Sequence, residues 1–382
     1  MSFTLALPQL SVSGTRALRD AICMIAQQGI RSALVLTDEN LRGLDAGTLL
    51  CSLLDEKRIS YTVFSAIEPN PTVATVASAF SVYESKKPDV LIALGGGSVI
   101  DTAKAVRLLS ANPGPIESYE GVHHELKAGV KLVAIATTSG TAAEVTSNAV
   151  ITDTKRHVKM VIISHATIPE IAVNDPFVLK SMPPKVTAST GMDALTHAIE
   201  AYVSKGAHTL TDHSALEAIR TITRWLPAVY DNGQDLHARE MMAHGQFLAG
   251  MAFNSAGLGC VHSLAHQPGA THNLPHGVCN AILLPVVEQF NRESAVERFA
   301  AIAQAMGVDT SALSTEEASK AALDAIRTLS QRVGIPSSFK EYGIKESDIE
   351  AWIQPALNDP CTPGNPRVLS ANDVRELYKA VL

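Results

Sequence analysis

A chain of 382 residues is long enough for two or three domains with full-sized cores. At 46% apolar and 18% charged residues it is globular, which excludes disorder as its main state. Its net charge of −7 leaves no basic footprint for nucleic acid or an anionic membrane, so the expected partner is a small molecule.

The opening MSFTLALPQL has neither a basic n-region nor a long apolar stretch, so no signal peptide is expected. No apolar run approaches the ~18 residues that span a bilayer. Cys23, Cys51, Cys260, Cys279 and Cys361 are widely spread with no CxxC pair, which fits neither a disulfide framework nor a thiolate metal site. Together these features point to a reducing compartment, the cytoplasm.

Residues 1–180 alternate short β-rich runs with amphipathic segments, the pattern of a parallel sheet flanked by helices. Strands are predicted at 33–37, 61–64, 90–94, 132–136, 149–152, 160–163 and 171–173. Helices are predicted near 15–28, 45–57, 72–86 and 99–109, with Gly29 closing the first. After Pro183-Pro184, long periodic segments rich in Ala, Leu, His and Glu replace the β-branched runs. Helices are expected over 185–204, 212–230, 235–253, 258–267, 279–306, 316–333, 346–356 and 371–381. The chain therefore reads as a Rossmann-like α/β domain, 1–180, followed by an all-helical domain, 181–382.

Gly95-Gly96-Gly97-Ser98 lies directly between a strand and a helix. Three glycines let a backbone approach a phosphate, and the free N–H groups of a helix start favour an anion. The alternative is a plain turn in which Ser98 caps the helix and Asp101 completes the cap. Asp38, after the strand ALVLT, is placed to accept bonds from an adenosine ribose and to repel a 2′-phosphate, or it is simply a turn residue. Thr137-Thr138-Ser139-Gly140-Thr141 adds hydroxyls after another strand, as many polar loops do.

Of thirteen histidines, eleven lie between His157 and His276. Asp193 and His197 are four apart, as are His262 and His266, and His276 follows a Pro268-Gly269 break. Residues at that spacing share a helix face and can aim at one ion, and a carboxylate with several imidazoles suits Fe2+ or Zn2+. Spacing alone leaves His244, His266 and His272 competing with His262 and His276. His208, His213 and His237 read as ordinary exposed residues, while Met241, Met242 and Phe253 read as core or pocket wall.

Taken together, GGGSVIDTAK, TTSGTAAEVT, GMDALTHAIEAY, AGMAFNSAGLGCVHSLAH and LPHGVCNAILLP resemble the iron-containing (group III) alcohol dehydrogenase family over nearly the whole chain. That resemblance implies a dinucleotide-binding domain, an all-helical metal domain and a homodimer or larger homo-oligomer. It puts the metal ligands on Asp193, His197, His262 and His276, and His266 near the nicotinamide. It puts the NAD-binding positions on Asp38, Asn70, Gly96, Gly97, Ser98, Thr137, Thr138, Thr146 and Lys159, with Val178 where the family often has leucine. The implied reaction is hydride transfer between a small primary alcohol or diol and NAD, with Fe2+ (or Zn2+) as Lewis acid; beyond the resemblance, His266 is expected to help move the proton to solvent, through water or the cofactor ribose. Lyases of the dehydroquinate synthase type share this scaffold, but their phosphorylated, carboxylated substrate calls for basic residues that the metal segments, apart from Lys205, lack. A non-catalytic metal or nucleotide sensor is the remaining alternative, against which a complete ligand set and cofactor loop argue.

Overall fold

The computed structural model describes residues 3–156 and 158–382, so His157 lies outside the described residues. The chain folds as two compact units: Ala6–Met182 with Gln234–Ala243, and Pro183–Gly233 with His244–Leu382 and the N-terminal segment through Leu5. Against a division expected at 180/181, the units part at 182/183. Residues 234–243 group with the first unit, and Ala243 lies in its core.

The first unit runs β1 (Leu10–Ser13), α1 (Ala17–Gln27), β2 (Ser32–Leu36), α2 (Glu39–Arg42), α3 (Asp45–Glu56), β3 (Ser60–Phe64), α4 (Val73–Lys86) and β4 (Val90–Gly95). It continues through α5 (Gly97–Leu109), β5 (Gly121–Val122), β6 (Lys131–Ala136), β7 (Asn148–Asp153), β8 (Val158–Ile163), β9 (Ile171–Asn174) and α6 (Pro176–Leu179). Six strands form a parallel sheet in the order β1-β9-β6-β4-β2-β3. Strands buried on both faces must be apolar throughout, and alternate residues show it. Val35, Ile92 and Val133 pack with Leu18 and Ile22 of α1 and Leu50 of α3, whereas Leu34, Leu91 and Leu132 pack with Ala79 of α4 and Val106 of α5.

Two of the predicted strands do not join this sheet. β7 and β8 pair antiparallel in a separate three-stranded sheet with β5, because the four residues between them are too few for a parallel crossover. In the main sheet the chain passes from β2 outward to β3, then returns to β4 on the other side of β2. The carboxyl ends of β2 and β4 therefore flank a switch point, where such sheets hold ligands.

The second unit carries helices and no strand among its described residues. They are α7 (Pro184–Val203), α8 (Thr209–Asp231), α9 (Leu236–Ala256, whose start belongs to the first unit), α10 (Cys260–His272), α11 (His276–Arg292), α12 (Val296–Ala305), α13 (Thr315–Arg332), α14 (Glu346–Leu357) and α15 (Ala371–Lys379). The single helix expected over 279–306 is two, separated by a turn in which Ser294 N–H bonds Asn291 O and Ala295 N–H bonds Arg292 O. The break expected at Pro268-Gly269 is absent, since α10 runs through it to His272. Proline cannot donate to the carbonyl four residues back, and here the Tyr378 hydroxyl does so instead, 2.7 Å from Leu264 O.

Candidate functional site

Asp193 and His197 stand one turn apart on α7, His262 near the start of α10, and His276 opens α11. The structure brings these four together: one donor atom from each lies within 4.8 Å of every other. Asp193, His197 and His262 are buried and His276 is partly exposed. Close approach of α11 to α7 depends on Gly277, where an added Cβ would lie 2.6 Å from Ser189 O. His197 is sandwiched between Phe253, 4.3 Å away ring to ring, and His262 at 4.5 Å, so Phe253 walls the cluster as the sequence suggested.

Glu200, fully buried two turns after Asp193, was not singled out from sequence. One carboxylate oxygen accepts the N–H of Val261 at 2.7 Å and of His262 at 3.4 Å, capping α10, and the other meets His262 Nδ1. Gly259 makes room, since a Cβ there would lie 3.0 Å from Glu200 Oε1. Burial holds His262 well below its usual value, so the ring is neutral, with Nδ1–H given to Glu200 and the Nε2 lone pair turned to the cluster. This carboxylate–imidazole pairing fixes tautomer and orientation in metal sites. The signal for it was present: positions 193, 197 and 200 lie on one helix face.

His266 stands apart from the four. Its Nδ1 lies 2.7 Å from Asp359 Oδ2, and its ring stacks on that of His276 at 5.4 Å. Burial pushes Asp359 up, but the His266 contact and the hydrogen bond from Cys361 outweigh it and hold the carboxyl below its usual range. Asp359 also accepts the N–H of Cys361 at 2.9 Å, and burial pushes the Cys361 thiol up, keeping it protonated. Asp359 is 93 residues from His266 and no spacing in the sequence could pair them. His244 and His272 lie outside the cluster; His272 is 3.6 Å from Asp348. Of the three histidines read as exposed, His213 and His237 are, but His208 is half-buried, stacked on Phe3 and bonded to Ser255.

In the first unit, Asp38, Gly96–Ser98 and Thr137–Thr138 follow β2, β4 and β6, at the carboxyl edge of the sheet. Gly96 begins α5 with no side-chain cap, and an added Cβ would lie 3.1 Å from Thr138 Cγ2, so the two loops are in close contact. The cap by Ser98 and Asp101 that stood as the alternative reading is not made. Ser98 Oγ instead accepts the N–H of Asn70, and Asp101 accepts that of Val150. Asn70, in a left-handed conformation, receives Lys159 Nζ at 2.9 Å, joining three predicted cofactor residues. Thr146 Oγ1 accepts from the buried Lys104, and Thr137 N–H bonds Gly95 O. Asp38 caps the short α2 through Leu41 N–H, the turn role weighed for it, while its other oxygen has no such duty. Val178 is buried in the core and offers only an apolar surface.

The donor set fits a divalent ion: three imidazoles and one carboxylate converge, and His262, whose tautomer Glu200 fixes, presents an unprotonated nitrogen. Family models agree with that chemistry: "Iron-containing alcohol dehydrogenase" matches residues 8–176 and "Fe-containing alcohol dehydrogenase family, C-terminal" matches 187–382. The chain belongs to the iron-containing alcohol dehydrogenase family. It is 42% identical to the NAD-dependent methanol dehydrogenase of Bacillus methanolicus, over 98% of this chain and 99% of that one. It is also 42% identical to the lactaldehyde reductase of Escherichia coli, over 93% of each. A solved structure of a 1,3-propanediol oxidoreductase superposes with a TM-score of 0.97 at 38% identity, covering all of both chains. The family and fold read from the motifs therefore hold, and this iron-type alcohol dehydrogenase is an oxidoreductase of alcohols that works with NAD and a metal.

Proposed function

We propose that Asp193, His197, His262 and His276 hold the metal, Fe2+ or alternatively Zn2+, and that the enzyme interconverts small primary alcohols or diols and their aldehydes. The observation that carries this reading is the convergence of four donors within 4.8 Å, with Glu200 locking His262. When bound, the ion supplies Lewis acidity toward the substrate oxygen and NAD exchanges the hydride. The protein's own part is to orient and to move a proton. Asp359 takes the Nδ1–H of His266, which leaves Nε2 as the atom that accepts the alcohol proton, directly or through water or the cofactor ribose. Phe253 gives the site an apolar wall suited to short carbon chains.

For NAD, we assign the pyrophosphate to Gly96, Gly97 and Ser98 at the start of α5, beside Thr137 and Thr138, with Asn70, Thr146, Lys159 and Val178 lining the rest. Asp38 would take the adenosine ribose and disfavour a 2′-phosphate. The unbridged cysteines support a cytoplasmic enzyme, and no helix among the described residues is long and apolar enough to cross a membrane. A homodimer or larger homo-oligomer is the expected assembly.

The test is to strip the metal, restore Fe2+ or Zn2+ separately, and follow NADH absorbance over a panel of alcohols, diols and aldehydes, with NADPH in parallel. Restored turnover is expected with NADH. A metal-loaded protein that turns over no alcohol or aldehyde would favour the sensor reading, and strong preference for NADPH would refute the role of Asp38. Full activity of His266→Ala at every pH would refute the proton role.

A further inference from the structure

α10, which carries His262 and His266, begins with no side-chain cap of its own, because the residue before it is Gly259. The first N–H groups of a helix have no partner inside it, and where the helix start is buried they must find one elsewhere. Two side chains remote in sequence supply it here. Glu200 Oε1 takes the N–H groups of Val261 and His262, and Asn365 Oδ1 takes that of Cys260 at 3.1 Å. A Cβ added at Gly259 would lie 2.8 Å from Asn365 Oδ1 and 3.0 Å from Glu200 Oε1, so the bare glycine is what admits both caps side by side.

Asn365 is buried, directly after the short turn Thr362–Gly364, and its whole amide is engaged. Nδ2 gives one hydrogen to Arg367 O and the other to Asn291 Oδ1, both at 2.7 Å, and Oδ1 accepts a second bond from Asn291 Nδ2 at 3.0 Å. A backbone N–H can only donate and a backbone carbonyl can only accept, so Cys260 and Arg367 together fix which way the amide faces. The reciprocal pair with Asn291 of α11 holds it there, and Asn291 Nδ2 gives its other hydrogen to Glu288 Oε2 at 3.1 Å. None of the Asn365 partners is one of the four donor residues, and the link to them runs along the first turn of α10. His262 stands two residues after Cys260, and Glu200 grips the same turn at three points: two N–H groups and the His262 ring. Those three contacts coexist only while the helix starts at this place. We propose that Asn365 is a positioning residue of the metal centre: by fixing where α10 begins, it holds His262 where Glu200 takes Nδ1 while the ring still reaches Asp193, His197 and His276. The proposal rests on the metal site assigned above.

The test uses the full chain, stripped of metal, with Asn365→Ala, Asn365→Ser and Asn365→Asp. Zn2+ affinity is measured by chelator competition, the visible spectrum of the Co2+-loaded protein reports donor geometry, and melting of the metal-free protein reports the fold. N365A and N365S, whose side chains fall short of Cys260 N–H, are expected to lose about tenfold or more in Zn2+ affinity and to shift the Co2+ bands, the scale of removing a group that orients a ligand. N365D keeps an oxygen for Cys260 N–H but has at most one hydrogen to share between Arg367 O and Asn291 Oδ1. It is expected to melt below wild type yet to bind Zn2+ within about threefold of it, with wild-type Co2+ bands, because the cap is kept. An Asn365 that served the fold alone would lower the melting temperature in all three variants and leave affinity and Co2+ bands unchanged. N365S leaves room for water on the groups it abandons and decides the matter if N365A does not fold. Wild-type affinity and Co2+ bands in N365S, or affinity lost as fully in N365D as in N365S, overturn the proposal. A wild-type chain that binds no divalent ion overturns the metal-site reading itself.

Discussion

Replacing Glu200 by Gln separates holding the metal from holding the fold. The amide oxygen of Gln still accepts the N–H groups of Val261 and His262, so the cap on α10 survives. The other carboxylate oxygen, which faces His262 Nδ1, becomes an NH2 group, and two donors then oppose each other. The ring escapes only by moving its proton to Nε2, which blocks the lone pair meant for the ion. Loss of such a partner weakens metal binding by about 10- to 100-fold, or about 1.5 to 3 kcal/mol. The effect on the metal-free fold has the opposite sign. Burial raises Glu200 to about 7, above its ordinary value of 4.5, so its contribution to stability is fully present below pH 4.5 and is lost as pH rises through 7. Gln escapes that cost, worth at most about 3 kcal/mol at pH 8. Chelator competition and thermal melting of the metal-free protein at pH 8 should therefore show weaker metal binding with an unchanged or higher melting temperature. Metal affinity within threefold of wild type would refute the reasoning.

Glu288, raised to about 8 by burial and then by the Glu200 charge, follows the same sign, so wild-type stability should fall as pH rises from 4.5 through 8. Glu288→Gln should flatten that slope and melt a few degrees higher at pH 8; a lower melting temperature with the slope intact would contradict it. Asp359→Ala frees the His266 ring, and kcat should fall by about tenfold or more while metal content stays at the wild-type level, because Asp359 touches none of the four donors. Unchanged kcat from pH 6 to 10 would show that Asp359 does not orient the ring.

The central strands β2, β4 and β6 were legible because double burial writes an unbroken apolar run, interrupted only at the first residues Ser32 of β2 and Lys131 of β6. β1, Leu-Ser-Val-Ser at the sheet edge and mostly exposed, carries no such run and was missed. The split between α11 and α12 was hidden because no glycine or proline marks it, and the continuity of α10 through Pro268 depends on Tyr378, more than 100 residues away. The metal cluster shows the same limit. Asp193 and His197 declare themselves by helical spacing, but choosing His262 and His276 from five histidines needed the family resemblance. Asp359 is invisible to spacing, while Glu200 continues a helix face already marked by a donor residue.

The pairing of β1 with β9 also constrains how the protein is made. Leu10 has its partner in Ile171, so β1 leaves the ribosome unmatched and stays so until some 160 residues more have followed. β2, β3, β4 and β6 can meanwhile assemble through short crossovers, with β9 then closing on β6. Synthesis order and assembly order thus run in opposite directions at this edge. Such long-range parallel pairing is slow to form. An N-terminal fusion or truncation reaching Leu10 would act at the last step, leaving the rim of β9 open to a neighbouring chain.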